Sequence, residues 1–507
     1  MTKIGAIPFQ KLDTERFIEA CAPGARLALT EEAKKRVRAG EAAVKKLLAE
    51  GKIIYGVNTG IGDFCTTVLP KDKLLQLQKN IILSHACGSA PYLEEPIARG
   101  ALFLLINERS KGYSGITEKL AETLLTFFNG GITPLLPVTG SLGASGDLIP
   151  LAHLGLALMG KGKVYRRGEI IPAADALRIL KIRPYVLQPK EALGIINGTA
   201  VSAAQSAFAI HGAQRLSGVS NRATAAIFEI LGSSTSCLAP ELHKLKPHAG
   251  QIAVADFLRK NIAGSKLCDR KGGKIQDSYV IRCAPQIDGA VLDQLERGRE
   301  VVETEMNSVT DNPLIFTEGG EPRAISGGNF HGQNVAFAMD LAGIALAASG
   351  KAMTKRVERL INPAFSGLSA FLSKEGGLNS GFMITHYLAT ALLAENTVLA
   401  NTISAEASSV SAGQEDMVSM SMTSARKAYQ ILLNCERILA VELLSVAQAM
   451  DLAGHGKRSA VKLFSKPAQA LYKKVRNVSA TLEADRWLSG DIEKITGRVH
   501  NGEFSVI

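Results

Sequence analysis

The residues with the clearest potential for unusual chemistry are Ala144, Ser145 and Gly146, in the stretch GSLGASGDLIPLA at 140–152. Gly146 has no Cβ, so its backbone nitrogen can approach the carbonyl carbon of Ala144 closely. Ring closure there, with loss of one water, would give an imidazolone. Loss of the Ser145 hydroxyl as a second water would leave an exocyclic methylene. The triad therefore predicts an electrophile that no ordinary side chain supplies, and we expect Asp147 to position or polarise the loop during cyclisation.

A glycine-rich loop before a helix also has two simpler interpretations, a tight turn and a phosphate-binding loop. The phosphate-binding motif GxxxxGKS or GxxxxGKT is missing, and no lysine follows the glycines of this loop. A lone GASG is a turn in most proteins. The cyclisation hypothesis therefore depends on the motifs found elsewhere in the chain.

Most of the chain resembles the histidine and aromatic amino-acid ammonia-lyase family. The segment around the triad, GSLGASGDLIPLAHLGLALMGKG, is similar to the signature of that family. Further motifs occur in family order: YGVNTGIG (55–62), LSHACG (83–88), INGTA (196–200), QDSYVIR (276–282), NSVTDNPL (307–314), SGGNF (326–330) and QEDMVSM (414–420). The resemblance implies a carbon–nitrogen lyase whose triad forms 4-methylideneimidazole-5-one (MIO), with no external cofactor and no metal.

The resemblance also implies which side chains bind the substrate carboxylate and move a proton. Arg282, in QDSYVIR, is expected to clamp the carboxylate, because a guanidinium binds it through two hydrogen bonds. Tyr55 is expected to be the general base for the β-proton, which requires a site that lowers its pKa and favours the phenolate. Tyr279 is a second candidate for proton handling, and the sequence leaves the two tyrosines unranked. Without the motifs, Arg282 would be interpreted as a surface salt-bridge residue and Tyr55 as a packing residue.

Two amides and one aromatic ring complete the residues implied by the resemblance. Asn197 in INGTA and Gln276 in QDSYVIR resemble the amides that hold the prosthetic ring, the substrate amine or the carboxylate. Phe330 resembles the residue that packs on the prosthetic ring. The simpler alternatives are an Asn-Gly turn at Asn197 and a core aromatic at Phe330.

The substrate is predicted from Ser84, His85, Glu415 and Met383. Histidine lyases of this family resemble the Ser-His pair of this chain, whereas tyrosine lyases tend to have His-Leu and phenylalanine lyases Phe-Leu. His85 can hydrogen-bond an imidazole, and the Glu415 carboxylate can pair with an imidazole N–H but suits no phenyl ring. Met383, in SGFMI, also matches the histidine-type pocket. We therefore expect conversion of L-histidine to trans-urocanate.

Three departures from the histidine-type pattern keep other substrates open. Met417 stands where histidine lyases usually have His, and His386 stands where Gln is common. The segment GQN at 332–334 is closer to bacterial phenylalanine and tyrosine enzymes and to aminomutases. The alternatives are therefore a tyrosine or phenylalanine ammonia-lyase and an MIO-dependent 2,3-aminomutase.

Two other classes of protein fit the sequence less well. A non-catalytic homologue is disfavoured because Tyr55, Ser145 and Arg282 are intact. A cofactor-free lyase of the fumarase and argininosuccinate-lyase type would carry GSSxMPxKxN. The segment GSSTSC at 232–237 lacks the Met-Pro and the Lys of that motif.

Helical patterns surround these motifs. Thr30 caps a helix that begins with Glu31 and Glu32, runs to about Ala49 and stops at Gly51. Further helices are expected at about 73–84, twice within 99–128, from near 150, and at 289–306, 333–350, 385–406 and 424–453. Loops are expected at 54–66 and 130–147, and short strands at 164–165 and 170–171.

Long Ala- and Leu-rich helices favour a buried multi-helix bundle. The resemblance implies a mainly α fold, with a long central helical bundle of the ammonia-lyase and fumarase–aspartase type and a smaller N-terminal region carrying the prosthetic-group loop. We predict an N-terminal region at 1–200 and a long-helix bundle domain at 201–507. Broad apolar helix faces, together with the resemblance, predict a homotetramer whose active sites are shared between subunits.

The composition argues against several other partners and sites. The 507 residues have a formal net charge of +11, but the basic residues are dispersed and lack the interleaved aromatics of a nucleic-acid surface. Seven Cys without a CxxC pair and nine His without an HExxH motif predict neither a disulfide framework nor a metal site. The N-terminus lacks an apolar signal core, and the apolar run at 148–160 is too short to span a bilayer. We therefore expect a cytoplasmic protein that binds a small amino acid and neither nucleic acid nor a membrane.

Overall fold

The computed structural model describes residues 4–269, 275–453 and 458–505. The chain folds into two compact units, each assembled from three segments. The first unit comprises Met1–Phe208, Arg299–Asp340 and Thr402–Arg426, and the second comprises Ala209–Gly298, Leu341–Asn401 and Lys427–Ile507. The domain division at 1–200 and 201–507 stays a prediction, because a compact unit is not by itself an independently folding domain.

The first unit contains short and medium helices with small sheets. The helices that lie wholly within it are Thr14–Cys21, Glu31–Ala49, Leu74–His85, Glu95–Arg109, Glu118–Asn129, Leu148–Leu158, Ala173–Leu180 and Glu191–Ile196. The strands Ile4–Ile7 and Arg26–Leu29 pair in parallel, Ile132–Pro134, Lys163–Arg166 and Glu169–Pro172 form an antiparallel sheet, and Leu314–Phe316 pairs with Arg323–Ile325. Short 3₁₀ turns lie at Gly62–Thr66, Lys71–Lys73 and Ser411–Gly413.

The described residues of the second unit form helices and loops, and no strand. Its own helices are Pro240–Lys244, Ala249–Ile262, Tyr279–Arg282, Pro363–Ser366, Met383–Leu399, Lys466–Arg476 and Ser489–His500, with 3₁₀ turns at Thr235–Leu238, Ala370–Leu372 and Arg458–Leu463. Four long helices contribute residues to both units: Ala200–Ile230, Ala284–Met306, Gln333–Ile361 and Ser421–Ala453. The predicted mainly α fold with a long-helix bundle is confirmed.

A buried ionic cluster joins the four long helices within the second unit. The Arg356 Nε donates to Glu442 Oε1 at 2.5 Å, and its Nη1 lies 3.3 Å from Asp288 Oδ2. Its Nη2 donates to the Ser220 hydroxyl at 2.7 Å. These four residues come one from each long helix and are all buried. Because the charges are paired away from water, the cluster fixes how the helices align.

Local signals identified several first-unit elements correctly. The Thr30 hydroxyl accepts from the Ala33 N–H at 3.0 Å, and the helix Glu31–Ala49 is followed by Gly51 at φ +75°. The hairpin Lys163–Arg166 and Glu169–Pro172 turns through Arg167 and Gly168, both at positive φ. A two-residue turn with positive φ at both positions has a backbone twist that matches the right-handed twist of the two strands it joins.

Two helix predictions need correction. The helix expected at 385–406 ends at Leu399, because the Asp340 carboxylate accepts from the N–H groups of Ile403 and Ser404 and holds a turn there. The helix Ala200–Ile230 was not predicted, although it spans 31 residues. Most of its residues are buried around its whole circumference, so it has no polar face to produce a helical period.

One described helix, Gln333–Ile361, is long and apolar enough to span a membrane by length and composition alone. However, 67% of its most apolar window is buried inside the protein. The core helix of a globular protein has the same properties. The helix is therefore weak evidence for a membrane span.

Candidate active site

A cavity of about 890 Å³ in the first unit brings together most of the residues singled out in the sequence. Its lining includes Tyr55, Ser84, His85, Ala144, Ser145, Asn197, Phe330 and Glu415. Met417, one of the departures from the histidine-type pattern, also lines this cavity. Residues separated by more than 350 positions in the chain therefore share one concave site.

The triad loop precedes the helix Leu148–Leu158 and packs against the Asn197–Gly198 turn. Gly146 has φ +81°, and a Cβ added to it would lie 2.2 Å from the Gly198 carbonyl oxygen. The Asp147 N–H donates to that same oxygen at 2.8 Å. Only glycine fits at this point of the loop, because a side chain would collide with backbone.

Asp147 is fully buried behind the loop and does not line the cavity. Its carboxylate accepts from the N–H groups of Val201 and Ser202 at 3.0 and 2.8 Å, in the first turn of the helix Ala200–Ile230. The hydroxyls of Ser141 and Ser202 also donate to it. Burial raises the pKa of Asp147, and these hydrogen bonds oppose the rise. The side chain thus ties the triad loop to the start of a long helix.

Tyr55 lies on the loop that follows the helix Glu31–Ala49, with its hydroxyl accepting from the Gly62 N–H at 3.0 Å. Burial raises the pKa of Tyr55, the Gly62 hydrogen bond opposes the rise, and the Glu415 carboxylate adds to it. The expected lowering of the Tyr55 pKa is therefore wrong for the single chain. One backbone N–H does not offset the loss of water around a phenolate.

Ser84 and His85 lie in the last turn of the helix Leu74–His85. The His85 Nδ1 lies 2.8 Å from the Ile81 carbonyl oxygen, which can only accept a hydrogen bond. Burial lowers the pKa of His85. The imidazole is therefore neutral near pH 7, with the proton on Nδ1 and the acceptor lone pair on Nε2.

Glu415 is held by a short antiparallel bridge with Val410, in which the N–H of each residue donates to the carbonyl of the other. Ser411 and Ala412, between them, have positive φ and also line the cavity. Burial raises the pKa of Glu415, and a hydrogen bond from the Ser145 hydroxyl opposes the rise. The carboxylate therefore lies next to the hydroxyl that cyclisation would remove.

Asn197 is nearly buried, and its Nδ2 lies 3.4 Å from the carbonyl oxygen of Asn312. Asn312 lines the cavity and was not predicted as a site residue, although it lies within the motif NSVTDNPL. Arg109 was also missed. Its guanidinium donates to the Asn197 carbonyl from behind the cavity wall. No sequence signal distinguishes Arg109 from a surface arginine at a helix end.

Four predicted site residues belong to the second unit and are not among the residues that line this cavity: Gln276, Tyr279, Arg282 and Met383. Gln276 is exposed, and Tyr279 is 69% exposed. The Arg282 guanidinium lies over the Tyr279 ring at 4.5 Å from its centroid. The first unit alone therefore supplies the triad, Tyr55, and the pair His85 and Glu415 that is predicted to bind an imidazole. It does not include Arg282, the residue predicted to bind the substrate carboxylate.

Comparison with known proteins gives consistent matches along the chain. The sequence profile of the aromatic amino acid lyase family matches residues 12–477. A histidine ammonia-lyase of Treponema denticola is 40% identical over 493 residues, which cover 97% of this chain and 96% of the relative. The crystal structure of histidine ammonia-lyase from Trypanosoma cruzi has a TM-score of 0.90 at 36% identity, over 99% of this chain and 94% of that one. A tyrosine aminomutase from Streptomyces globisporus has a TM-score of 0.93 at 33% identity, over 99% and 98%.

Proposed function

Because this chain belongs to the aromatic amino acid lyase family, we propose that it eliminates ammonia from L-histidine and releases trans-urocanate. The resemblance noted from the motifs is confirmed, and the chain is a carbon–nitrogen lyase. The observation that carries the histidine assignment is the pairing of His85 and Glu415 in one cavity. A neutral His85 offers Nε2 as an acceptor, and Glu415 offers a carboxylate. An imidazole N–H can donate to either acceptor, and a phenyl ring offers neither of them a donor.

The residues present fit formation of MIO from Ala144, Ser145 and Gly146. Gly146 packs against backbone where a Cβ would collide, so its nitrogen lies on a tightly constrained turn. The Ser145 hydroxyl, the second leaving group, hydrogen-bonds a carboxylate whose pKa is raised. When formed, the group supplies an electrophile that prepares the substrate for loss of its amine. Asp147 would hold the loop through its bonds to the start of the helix Ala200–Ile230.

The side chains that line the cavity remove the β-proton and bind the substrate. Tyr55 removes the β-proton, with its hydroxyl oriented by the Gly62 N–H. Asn197 and Phe330 both line the cavity, where Asn197 would bind the substrate amine or carboxylate and Phe330 would pack against the prosthetic ring once formed. His85 and Glu415 hold the imidazole so that the β-carbon faces Tyr55. The amine leaves as ammonia when the β-proton is lost, which gives the conjugated acrylate.

The carboxylate clamp is assigned to other copies of the chain. We propose a homotetramer in which Gln276, Tyr279, Arg282 and Met383 reach the cavity of a neighbouring subunit. The exposure of Gln276 and Tyr279 supports this, because both are available to a partner. Tyr279 handles a proton there, and Arg282 binds the carboxylate through two hydrogen bonds. We place the protein in the cytoplasm, acting on a small amino acid without nucleic acid or membrane.

A second candidate function rests on Met417, which lines the cavity where the histidine-type pattern has His. The likeness to a tyrosine aminomutase supports the same alternative. A tyrosine or phenylalanine lyase would release an aryl acrylate, and an aminomutase would return the amine to the β-carbon. Both would use the same triad, so the product distinguishes them.

The experiment supplies purified protein with L-histidine, L-tyrosine and L-phenylalanine separately and follows ammonia, acrylate absorbance and β-amino acid. We expect ammonia and urocanate from histidine, and at least about 100-fold lower kcat/KM with the two phenyl substrates, because buried polar groups would be left unpaired. An acrylate from tyrosine or phenylalanine would contradict the substrate assignment, and a β-amino acid would identify an aminomutase.

A further inference from the structure

Behind the Asn197 wall of the cavity lies a buried arginine that binds main-chain oxygens. Arg109 is 1% exposed, and its Nε donates to the Gly194 carbonyl at 2.6 Å. Its Nη2 donates to the Asn197 carbonyl, also at 2.6 Å, and its Nη1 pairs with the Glu108 carboxylate. A guanidinium presents its donors in a rigid planar fork. Arg109 therefore fixes the main chain at both ends of the segment that leads into the Asn-Gly turn.

Glu108 and Thr310 pack against the same Asn197–Gly198 turn. The Glu108 carboxylate accepts from the Thr310 N–H at 2.5 Å and from the Thr310 hydroxyl at 3.0 Å. A Cβ added to Gly198 would lie 2.6 Å from that hydroxyl and 3.5 Å from Arg109 Nη2. Gly198 thus has no room to move towards the ionic pair.

On its other side, Gly198 lies against the triad. A Cβ added to Gly146 would lie 2.2 Å from the Gly198 carbonyl oxygen, which also accepts from the Asp147 N–H at 2.8 Å. Gly146 is the residue whose nitrogen must reach the Ala144 carbonyl carbon. The Arg109 guanidinium therefore contacts the Asn197–Gly198 turn, and that turn packs against Gly146, whose nitrogen is the nucleophile in the cyclisation.

We propose that Arg109 is a positioning residue for formation of the prosthetic group, acting by holding Asn197–Gly198 as a fixed surface against which the triad closes. The inference rests on the proposed function, because it concerns the cyclisation. A bond forms between Gly146 N and Ala144 C, and the Ala144 oxygen leaves as water with the amide protons of Ser145 and Gly146. Ser145 then loses its hydroxyl and its Cα proton as a second water, so no oxidant is needed. Restricting the turn favours ring closure because the reacting atoms are kept close.

The test compares Arg109→Lys with a matched control, Arg99→Lys. Arg99 lies on the same helix, is also buried, and donates to the carbonyls of Cys21, Ala25 and Phe128 at 3.0–3.1 Å. Lysine keeps the charge in both variants and loses the fork. Intact mass, measured on folded protein at intervals after synthesis is stopped, gives the fraction of chains that have lost two waters. We expect cyclisation to slow roughly 10- to 100-fold in Arg109→Lys, and the control to match the wild type.

The outcomes separate this inference from the proposed function. A wild-type protein without the mass loss would overturn the proposed prosthetic group, whatever the variants do. A wild-type protein with the full mass loss and an Arg109→Lys variant that cyclises equally fast would overturn the role of Arg109. If Arg109→Lys does not fold, Glu108→Gln decides, since it keeps the guanidinium and weakens both its ion pair with Glu108 and the link from Glu108 to Thr310. Slower cyclisation in that variant supports the inference, and the wild-type rate overturns it.

Discussion

At the residue scale, the cavity is specified by which groups accept and which donate hydrogen bonds. The Ile81 carbonyl fixes the His85 proton on Nδ1, which leaves Nε2 as an acceptor. Glu415 is also an acceptor when ionised, so an imidazolium can donate to both groups and a neutral imidazole to one of them. Substrate choice therefore depends on a backbone carbonyl in a helix as much as on the two side chains. The Tyr55 hydroxyl accepts from the Gly62 N–H, and burial raises its pKa, so its phenolate, the form that accepts a proton, forms less readily than that of an exposed Tyr.

The pH dependence of the reaction follows from the two raised pKa values. Burial raises the pKa of Glu415, so its protonated form persists to higher pH than for an ordinary Glu. The kcat/KM for histidine should therefore fall on acidification through a pKa above the usual Glu range. The pKa of Tyr55 is also raised, so the rate should rise on the alkaline side as the phenolate forms. Steady-state kinetics over the full pH range measure both limbs.

Two variants serve as controls for this profile, since the substrate also titrates. Glu415→Gln should lose the acidic limb while keeping the alkaline one, with kcat/KM reduced by about 100-fold. Tyr55→Phe should lose the alkaline limb. A Glu415→Gln profile that superimposes on the wild-type profile would show that Glu415 does not titrate in the reaction.

At the element scale, the sequence predicts what local rules determine and misses what packing determines. The helix Glu31–Ala49 was predicted because a cap, two acids and a glycine mark its ends. The helix Ala200–Ile230 was missed because it is buried on all sides and has no polar face. Site residues on the cavity wall could be predicted because they lie in motifs. Arg109 could not, because it binds carbonyls 85 and 88 residues further along the chain.

The alignment of the long helices in the second unit should depend on the Arg356 cluster. Arg356→Met leaves the buried Glu442 and Asp288 carboxylates without a cation, so the free energy of unfolding should fall by about 3–5 kcal/mol. Unfolding in denaturant, followed by circular dichroism, measures the loss.

Arg178→Met provides the surface control for that measurement. Arg178 is exposed and pairs with Asp175 three residues away, so its loss should cost less than about 1 kcal/mol. Equal losses in the Arg356 and Arg178 variants would mean that the buried cluster does not determine the stability of the bundle. Restoring part of the loss by adding Glu442→Leu to Arg356→Met would support it, because one uncompensated charge is removed.

At the scale of the whole molecule, the long helix Gln333–Ile361 presents apolar side chains that a single chain leaves uncovered. Phe337, Leu341 and Ile344 follow one another at helical spacing on Gln333–Ile361 and are 43–52% exposed. Soluble proteins usually cover contiguous apolar faces with a partner. The proposed homotetramer would cover this face and bring Arg282 to a neighbouring cavity.

Replacing Phe337 and Leu341 together by Glu should therefore dissociate the assembly. Light scattering after gel filtration should show a smaller species, and histidine turnover should fall at least about 100-fold because the carboxylate clamp is lost. The loss of two waters should persist, since the triad and its contacts lie within one chain. Ile170→Glu, at a similarly exposed apolar residue in a hairpin, should leave the assembly intact. A dissociated double variant with wild-type turnover would show that each cavity is complete within one chain.

The central claim is that the Ala144–Ser145–Gly146 triad makes this chain a histidine lyase. The most direct measurement is the rate of trans-urocanate formation from L-histidine by the wild type and by Ser145→Ala, with the intact mass of each protein recorded on the same samples. Ser145→Ala removes the hydroxyl that leaves as the second water and changes little else in the fold. We predict urocanate formation and the loss of two waters in the wild type, and neither in the variant. Urocanate formation by Ser145→Ala at the wild-type rate, or by a wild-type protein that has lost no water, would contradict the account.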